Sequence, residues 1–257
     1  MNVMDLFDLS GEKAIVTGAA RGLGEQMAIA LAEAGADVAV IDKDLKNAEK
    51  VAQNIERIGN EAMALKVDVT DKGEVEDMVR KVKDKFKKID IIVNNAGIAT
   101  MHSAEELPKE DWDSVIDVNL TGVFLCAQAA GREMIKQKKG NIINTASAAS
   151  FIVPWPQTHI HYNATKGGVV MITKTLAVEW TKYNIRVNAI APFTMKTSMV
   201  VNSQLYEKYL DDWKARCPMR RIGEPWEIKG VTVFLASKAS SFITGSTVLV
   251  DGGYLAW

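Results

Sequence analysis

Short apolar runs alternate with longer segments of helical hydrophobic spacing along the whole chain. The apolar runs predict seven strands, at residues 13–17, 37–41, 62–67, 89–93, 141–145, 185–190 and 247–250. The helical spacing predicts helices at about residues 22–34, 44–58, 72–86, 109–137 and 160–183. Because the strands are apolar throughout, they are typical of a parallel sheet that is covered on both faces. The pattern therefore predicts an α/β fold, with a doubly wound seven-stranded parallel sheet and helices on both faces.

No shift in composition divides the chain, so we expect a single domain over residues 1–257. The least regular stretch, residues 191–221, lies between the sixth strand and the last helix. Insertions of this size in a compact domain usually form lids or binding segments. Its large side chains would suit an adaptable apolar cover over a substrate, and they are Met195, Met199, Tyr206, Tyr209, Trp213 and Met219.

Composition narrows the class of protein. The chain of 257 residues is 47% hydrophobic and 25% charged, which is typical of a soluble globular protein and excludes a mostly disordered one. The formal net charge is −1, so no global basic field predicts nucleic-acid binding. Two cysteines, Cys126 and Cys217, are too few for a disulfide framework and favour a reducing compartment. We expect a cytoplasmic protein without a membrane span, because we find neither a signal-like N-terminus nor an apolar run approaching 18 residues.

A glycine-rich turn joins the first strand directly to the first helix. It contains Gly18, Gly22 and Gly24. Glycines let a pyrophosphate approach the main chain, and the helix N-terminus then offers free N–H groups and the positive end of the helix dipole. In this strand–turn–helix context the turn predicts the dinucleotide site of a Rossmann fold, rather than a connection that is merely rich in glycine.

Asp42, at the end of the second strand, distinguishes two cofactors. A carboxylate at this position can accept hydrogen bonds from the adenosine ribose hydroxyls of NAD, and it would repel the extra phosphate of NADP. Arg21 in the turn and Lys43 argue the other way, because either side chain can pair with a phosphate. We therefore expect NAD, with NADP as the alternative. A purely structural role for Asp42 would be to cap the helix that starts near residue 44.

Two further motifs follow later strands. The run NNAG at residues 94–97 follows the fourth strand, and Tyr162 and Lys166 stand four residues apart at the start of a helix. With these motifs and the glycine turn in this order, the chain resembles the short-chain dehydrogenase/reductase family over essentially its whole length. The resemblance implies an oxidoreductase that transfers hydride between a nicotinamide cofactor and an alcohol or ketone.

The site residues of that family carry over onto matching positions of this chain. The resemblance implies a catalytic set of Asn119, Ser147, Tyr162 and Lys166. Ser150 is an alternative to Ser147, since it also lies shortly before Tyr162. The implied cofactor-binding residues are Gly18, Arg21, Gly22, Leu23, Gly24, Asp42, Asp68, Val69, Asn94, Ala96, Gly97, Tyr162, Lys166, Pro192 and Thr197.

The spacing of Tyr162 and Lys166 suits proton transfer. Four residues apart on a helix, both side chains project from one face. A nearby ammonium and the nicotinamide cation favour the phenolate and are expected to lower the tyrosine pKa from about 10, so Tyr162 can exchange the proton of the substrate hydroxyl. The resemblance implies that Ser147 forms a hydrogen bond with the reacting oxygen. It also implies that Lys166 binds the nicotinamide ribose. Asn119 would fix a water that completes a proton relay.

The segment before Tyr162 resembles that of the polyol- and sugar-directed members of the family, such as sorbose reductases and mannitol or gluconate dehydrogenases. The candidate substrate residues are Ser147, Ala149, Gln157, His159, Tyr162, Phe193 and Met199. Their polar members can match the several hydroxyls of a polyol. No basic pair follows Gly97, where related gluconate-type enzymes often have arginines, so we expect a neutral polyol or ketose. Trp155, Phe193 and Met199 would also fit an apolar wall, which leaves an acyl substrate open.

One position departs from the family pattern. The family usually has Pro-Gly after the sixth strand, whereas this chain has Pro192 followed by Phe193. We expect Phe193 to narrow the pocket or to pack over the nicotinamide. The family usually forms tetramers through its two long helices and its C-terminal strand region. The apolar C-terminus, residues 254–257, would suit burial at such a contact, so a homotetramer is the expected assembly.

Two other functional classes compete with a polyol dehydrogenase. An NADP-dependent 3-oxoacyl reductase of the same fold would use Arg21 and Lys43 in the cofactor site. A cofactor-sensing protein without catalysis would not need Tyr162 and Lys166. We expect no metal site, because the neighbouring histidines at positions 159 and 161 lack carboxylate or cysteine companions at metal-ligand spacing.

Overall fold

The predicted strands form one parallel sheet. The computed structural model describes residues 2–203 and 205–257. The strands are β1 (Lys13–Thr17), β2 (Asp37–Asp42), β3 (Ala62–Lys66), β4 (Ile91–Asn94), β5 (Gly140–Thr145), β6 (Ile185–Pro192) and β7 (Thr247–Val250). They lie in the order β3-β2-β1-β4-β5-β6-β7, and every neighbouring pair is parallel. The prediction of a doubly wound seven-stranded parallel sheet is confirmed.

The direction of winding changes between β1 and β4, which are neighbours in the sheet. From β1 the chain moves outward through β2 and β3, and it then returns to build the other half of the sheet from β4 to β7. Open α/β sheets bind ligands in the crevice outside the carboxyl ends of the strands at such a switch point. The glycine-rich turn after β1 and the NNAG run after β4 meet there.

Helices cover both faces of the sheet. They are α1 (Gly22–Glu33), α2 (Leu45–Ile58), α3 (Lys72–Phe86), α4 (Lys109–Ile116), α5 (Gly122–Gln137), α6 (Ile160–Trp180), α7 (Ser198–Val201), α8 (Leu205–Arg216) and α9 (Lys229–Ala236). Asp44 starts α2 by accepting a hydrogen bond from the backbone N–H of Asn47, and Asp71 starts α3 in the same way. Gly59 ends α2 in the left-handed conformation, as its position predicted.

Successive residues of a strand point into two apolar layers. Ala14 and Val16 pack on the side of α1, α2 and α9, whereas Ile15 packs on the side of α3, α5 and α6. All three side chains are fully buried. Because both faces of the sheet are covered, the central strands carry no alternating polar positions, and their apolar runs could therefore be identified from the sequence.

Some predicted boundaries are wrong by a few residues. The fourth strand begins at Ile91 rather than at residue 89. The sixth strand continues to Pro192 instead of ending at residue 190, because Ala191 and Pro192 pair with β7. The helix predicted over 160–183 ends at Trp180, and a tighter helical turn follows it to Tyr183.

The helix predicted over residues 109–137 is interrupted. A π-helical turn, Asp117–Thr121, separates α4 from α5. Asn119 in this turn is fully buried, and its amide makes two hydrogen bonds of 2.8 Å with the backbone N–H and C=O of Ile98. Single π-helical turns inside α-helices often occur at functional sites. Here the turn directs Asn119 towards the loop that follows β4.

One segment does not match the expectation that no stretch would qualify as a membrane span. Residues Lys109–Gln137 meet the length and composition test, with a mean hydropathy of 1.3 over the best window, of which 44% is buried. A core helix passes the same test. Val123, Cys126 and Ala130 on this segment are buried against the rest of the fold, so we infer no membrane span from it.

The segment at 191–221 is more regular than expected. It completes β6, contains α7 and α8, and is held down by buried side chains, among them Met195 and Trp213. Residue 204, between the two helices, lies outside the described residues. The segment follows the carboxyl end of β6, and its Thr197 lies next to the glycine-rich turn, so it lies beside the crevice at the switch point.

Candidate active site

The glycine-rich turn is packed so closely that larger residues would not fit. Gly18 has a φ of +63°, and a Cβ atom on it would lie 2.7 Å from the Cα atom of Ala96. A Cβ atom on Gly24 would lie 2.1 Å from the carbonyl oxygen of Gly18. Since real Cβ contacts are not that short, these two positions need glycine for the turn to lie against the loop after β4.

Asn95 holds the glycine-rich turn in place, although it is not among the predicted site residues. Its side-chain amide donates hydrogen bonds to the carbonyl oxygens of Thr17 (3.1 Å) and Gly18 (3.0 Å). Its backbone N–H donates to the Thr17 hydroxyl oxygen (3.0 Å). Asn94, which the resemblance assigns to the cofactor pocket, donates a hydrogen bond to the side chain of Asn144 within the sheet (2.9 Å), and its cofactor role stays a prediction. Asn95 belongs to the NNAG run, so that motif contains it as well as Asn94.

The start of α1 is prepared for an anion. The helices α2 and α3 have aspartate caps, whereas Arg21 at the start of α1 makes no capping hydrogen bond through its side chain. The first N–H groups of α1, from Gly22 and Leu23 onward, therefore have no side-chain cap within the described residues. Thr197 lies across from them, with its Cγ2 atom 3.6 Å from the position of a Cβ atom on Gly22. These features fit the pyrophosphate of a dinucleotide.

Asp42 lies at the carboxyl end of β2 and fastens the turn to that strand. One carboxylate oxygen accepts a hydrogen bond from the backbone N–H of Ala20 (3.0 Å), and the other accepts one from the N–H of Asp44 (3.0 Å). Asp44, rather than Asp42, is the cap of α2, so the alternative reading of Asp42 as that cap is wrong. The carboxylate is half-buried, beside the turn where a dinucleotide ribose would lie.

Lys43 is already paired with a carboxylate. Its ammonium lies 2.7 Å from a carboxylate oxygen of Asp68, the residue that the resemblance assigns to adenine. Burial alone would raise the pKa of Asp68, but hydrogen bonds from Lys43 and Thr70 outweigh it and lower the pKa. Val69, the next residue, is buried and packs closely on Gly122. The charge of Lys43 is therefore compensated within the chain.

Ser147, Tyr162 and Lys166 come together just beyond β5. Ser147 begins a short helical turn (Ala148–Ser150) directly after the strand, while the other two side chains lie on α6. The Lys166 ammonium donates a hydrogen bond to the carbonyl oxygen of Thr145 (2.7 Å) and lies 5.6 Å from the centre of the Tyr162 ring. The Ser147 side chain lies close enough to the Tyr162 hydroxyl to have a lowering effect on its pKa.

Burial is the main cause of the pKa shifts of Tyr162 and Lys166. Burial raises the pKa of Tyr162, and the nearby Ser147 side chain opposes that rise without cancelling it. In the protein by itself the pKa of Tyr162 is therefore not lowered, and the lowering expected with the nicotinamide cation beside it stays a prediction. Burial also lowers the pKa of Lys166 to about 8, so the amine is still mostly protonated at pH 7.

The alternative serine has a different task. The hydroxyl of Ser150 donates a hydrogen bond to the main-chain carbonyl of Lys166 (2.8 Å), and its oxygen accepts one from the backbone N–H of Ser147 (3.3 Å). Ser150 thus ties the turn to α6. Of the two serines, Ser147 is the one whose side chain affects the pKa of Tyr162.

Gly97 leaves a narrow space between Asn119 and Lys166. A Cβ atom at residue 97 would lie 3.4 Å from Oδ1 of Asn119 and 3.8 Å from Nζ of Lys166. The amide of Asn119 is committed to Ile98, so its observed task is to hold the loop after β4 beside Lys166. The water relay expected from Asn119 stays a prediction.

The candidate substrate residues differ in how deeply they are buried. Ala149 and His159 are buried, while Gln157 is half-buried. Met199 is 58% exposed. The Phe193 ring is stacked on Tyr254, with 3.8 Å between centroids, so it faces the C-terminal segment. A cleft of about 370 Å³ beside Phe193 is lined by residues from the stretches 193–195, 217–227 and 249–253, and none of the four catalytic candidates lines it. The expectation that Phe193 packs over the nicotinamide is therefore not supported.

The three histidines lie around the start of α6. His159 lies edge-on to the Tyr162 ring, with 5.1 Å between centroids. Nε2 of His161 lies 2.7 Å from the Thr100 hydroxyl, and His102 is paired with Asp111 at 2.6 Å. In the described parts of the chain, no three His, Cys, Asp or Glu side chains are grouped closely enough to hold a metal ion.

Comparison with known proteins gives consistent results. The family described as Enoyl-(Acyl carrier protein) reductase matches residues 18–255. An NAD-dependent glycerol dehydrogenase of Listeria innocua is 41% identical over 250 residues, covering 96% of this chain and 95% of that protein. A galactitol 2-dehydrogenase of Rhizobium johnstonii is 40% identical over 258 residues, with complete coverage of both chains.

Other relatives show how far the resemblance extends. A 3-oxoacyl-(acyl-carrier-protein) reductase of Chlamydia pneumoniae is 40% identical over 245 residues, covering 95% of this chain and 97% of that protein. A solved structure, a short-chain type dehydrogenase/reductase from Mycobacterium marinum, has a TM-score of 0.95 at 41% identity, covering 98% of this chain and 99% of that one. Fold and reaction class are common to these proteins, whereas the substrates that their names give differ.

Proposed function

The chain belongs to the short-chain dehydrogenase/reductase family, and we propose that it uses NAD(H) to interconvert a secondary alcohol and a ketone on a neutral polyol or sugar. It is an oxidoreductase that acts on CH–OH groups. The observation that carries the proposal is the grouping of Ser147, Tyr162 and Lys166 beyond β5, on the same edge of the sheet as the glycine-rich turn.

Proton transfer is assigned to Tyr162. Its hydroxyl takes the proton of the substrate alcohol during oxidation and returns it during reduction. Ser147, whose side chain lies near that hydroxyl, orients the reacting oxygen. Lys166 supplies positive charge beside the ring, and its hydrogen bond to Thr145 fixes its position. When bound, NAD supplies the hydride acceptor, and the first turn of α1 with Asp42 would hold it.

The preference for NAD rests on two carboxylates. Asp42 would accept hydrogen bonds from the adenosine ribose and repel a phosphate there. Lys43, which could otherwise attract that phosphate, is paired with Asp68 at 2.7 Å. Arg21 is the remaining cation in the turn and is the basis of the NADP alternative.

The preference for a neutral substrate rests on charge. The sequence has no Lys or Arg in residues 94–108 or 140–165, which are the stretches that lead into the site from β4 and β5. A sugar acid would bring a carboxylate, and a buried carboxylate without a cation is unfavourable. The glycerol and galactitol dehydrogenases among the relatives act on neutral polyols, as their names say.

Partners and location complete the proposal. We propose a homotetramer in the cytoplasm, with a small polyol or sugar as substrate and without nucleic-acid or membrane partners. Both cysteines, Cys126 and Cys217, are buried and free, which suits a reducing compartment. Burial raises the pKa of Cys126 to about 12, so this thiol is unsuited to be a nucleophile.

A substrate panel tests the proposal. The protein is assayed with NAD and with NADP on polyols, aldoses, sugar acids and a β-hydroxyacyl ester, following near-ultraviolet absorbance. We expect the highest kcat/KM for a neutral polyol with NAD. Activity confined to NADP and the acyl ester would instead support the 3-oxoacyl reductase. No oxidation of any alcohol, together with NAD binding, would support the cofactor-sensing class.

A further inference from the structure

His159 presents an unused polar atom beside the catalytic candidates. The side chain is 5% exposed, and it packs edge-on against the ring of Tyr162. Although His159 occupies the cap position of α6, its side chain makes no capping hydrogen bond. Its Nε2 atom is buried and has no hydrogen-bond partner among residues 2–203 and 205–257. Buried polar atoms are nearly always bonded, so this one points to a ligand.

His161, two residues later, is held differently. It is fully buried, and its Nε2 atom is bonded to Thr100, which joins α6 to the loop after β4. Its Nδ1 atom also has no partner in the described structure, but the imidazole that packs on the Tyr162 ring is that of His159. Of the two side chains, His159 is therefore the one adjacent to the reacting group.

The charge state of His159 limits what it can bind. Burial lowers its pKa to about 4, so the imidazole is neutral at ordinary pH. A neutral imidazole has one nitrogen that donates and one that accepts, and it offers no charge to a carboxylate. A hydroxyl group can satisfy either nitrogen, because it donates and accepts. The chemistry of this position therefore matches an alcohol rather than an acid.

We propose that Nε2 of His159 binds the hydroxyl on the carbon next to the reacting carbon, so that the preferred substrate is a neutral vicinal diol or the matching α-hydroxyketone. This assignment rests on the proposed function, in which the reacting oxygen lies at Tyr162 and Ser147. The imidazole packs edge-on against the Tyr162 ring, with 5.1 Å between centroids, so it lies beside the side chain that carries the reacting hydroxyl. His159 is then a residue that determines substrate specificity.

The kinetic test compares butane-2,3-diol with butan-2-ol, which lacks the neighbouring hydroxyl. For the wild type we expect kcat/KM with NAD to be about 10-fold or more higher for the diol. His159→Phe keeps a ring against Tyr162 but cannot form the hydrogen bond, so it reduces this preference to about 3-fold or less. His159→Gln retains part of the preference, because glutamine can still bond a hydroxyl.

The matched control is His102→Gln, which removes a histidine that is paired with Asp111 and does not touch Tyr162. It is expected to keep the diol preference of the wild type. If His159→Phe lowers kcat/KM equally for both alcohols, His159 only packs against Tyr162 and the assignment is overturned. A diol preference that survives this substitution also overturns it.

A binding measurement separates this assignment from the proposed function. The chain has three histidines, so ¹⁵N-labelled imidazoles give a simple NMR spectrum. In the NAD complex of Tyr162→Phe, the Nε2 resonance of His159 is expected to shift with the diol and not with butan-2-ol. Oxidation of alcohols without this shift overturns the assignment and leaves the proposed function standing. The shift without any oxidation by the wild type overturns the proposed function and supports diol binding at His159.

Discussion

At the scale of residues, Lys166 shows most clearly what burial does to the candidate site. The side chain is 3% exposed, and its ammonium has a carbonyl rather than a carboxylate as its partner. Its pKa falls to about 8 from an ordinary value of 10.5 because the charged form is desolvated. The folded protein therefore binds the proton of Lys166 less tightly than the unfolded chain does.

This difference predicts how stability depends on pH. Between about pH 8 and 10.5 the unfolded chain holds more protons at Lys166, so its contribution to the free energy of unfolding rises with pH. From pH 7.5 to 9.5 the gain from this residue is about 2 kcal/mol. It is measured by urea unfolding of the wild type and of Lys166→Met at both pH values.

The comparison with Lys166→Met isolates this contribution from the other groups that titrate in the same range. The free energy of unfolding of the wild type should rise relative to that of the variant as the pH increases. An unchanged or falling difference would mean that Lys166 is not desolvated in the folded protein.

The sequence predicted the identities of the site residues better than their contacts. Tyr162 and Lys166 belong to the motifs that carry the family resemblance, and Ser147 lies just past the fifth predicted strand. The role of Asn95 could not be read from spacing, since its hydrogen bonds run to a turn 77 and 78 residues earlier in the chain. The direction of the Tyr162 pKa shift could not be predicted from the sequence either, because burial depends on the packing of the whole site.

At the scale of elements, the junction of β2 and α2 governs the choice of cofactor. Asp42 fastens the glycine-rich turn, and Lys43 pairs with Asp68 beyond β3. Asp42→Asn removes the charge and keeps one acceptor oxygen for the turn. We expect the ratio of kcat/KM for NAD to that for NADP to fall by roughly 10-fold or more.

Lys43→Gln is the companion variant for this prediction. Because Asp68 already holds the Lys43 ammonium, the same cofactor ratio should change by about 3-fold or less. A selective loss of NADP activity in Lys43→Gln would show that the ammonium binds the phosphate. In that case the cofactor preference is misassigned.

Regular elements could be predicted where the residues are apolar and where local spacing determines the structure. All seven strands were found, because both faces of the sheet are buried. The break in the helix at Asp117–Thr121 was missed, since the sequence there keeps its helical spacing. In this turn Asn119 bonds to Ile98, and such a tertiary contact cannot be predicted from local hydrophobic periodicity.

At the scale of the whole molecule, exposed apolar side chains favour self-association. On the outer sides of α5 and α6, Phe124 is 42% exposed, Met171 is 58% exposed and Val178 is 79% exposed. At the C-terminus, Trp257 is 72% exposed, whereas Tyr254 is already buried under Phe193. Apolar surface of this kind on neighbouring helices is typical of a subunit contact.

Sedimentation tests the assembly. We expect a mass four times the 28.2 kDa of the chain at working concentration. Val178→Glu places a charge on the exposed face of α6 and should produce smaller species, because a buried unpaired charge destabilises a contact. Met4→Glu, at a methionine that is 68% exposed and lies outside the two long helices, should keep the mass of the wild type.

A wild-type monomer would contradict the tetramer. If Val178→Glu keeps the full mass, the contact does not use this face of α6. The sequence predicted the apolar C-terminus as a contact, but it could not show that Tyr254 would find its partner within the chain.

The mechanism assigns proton transfer to Tyr162 and places the dinucleotide elsewhere in the chain, and the variant Tyr162→Phe tests both assignments. Tyr162→Phe removes only the hydroxyl, so kcat for polyol oxidation is measured beside the dissociation constant for NAD. We predict that kcat falls by about 10³-fold or more, while NAD binding changes by about 3-fold or less. Turnover near the wild-type rate in Tyr162→Phe would contradict the assignment of this tyrosine and the mechanism built on it.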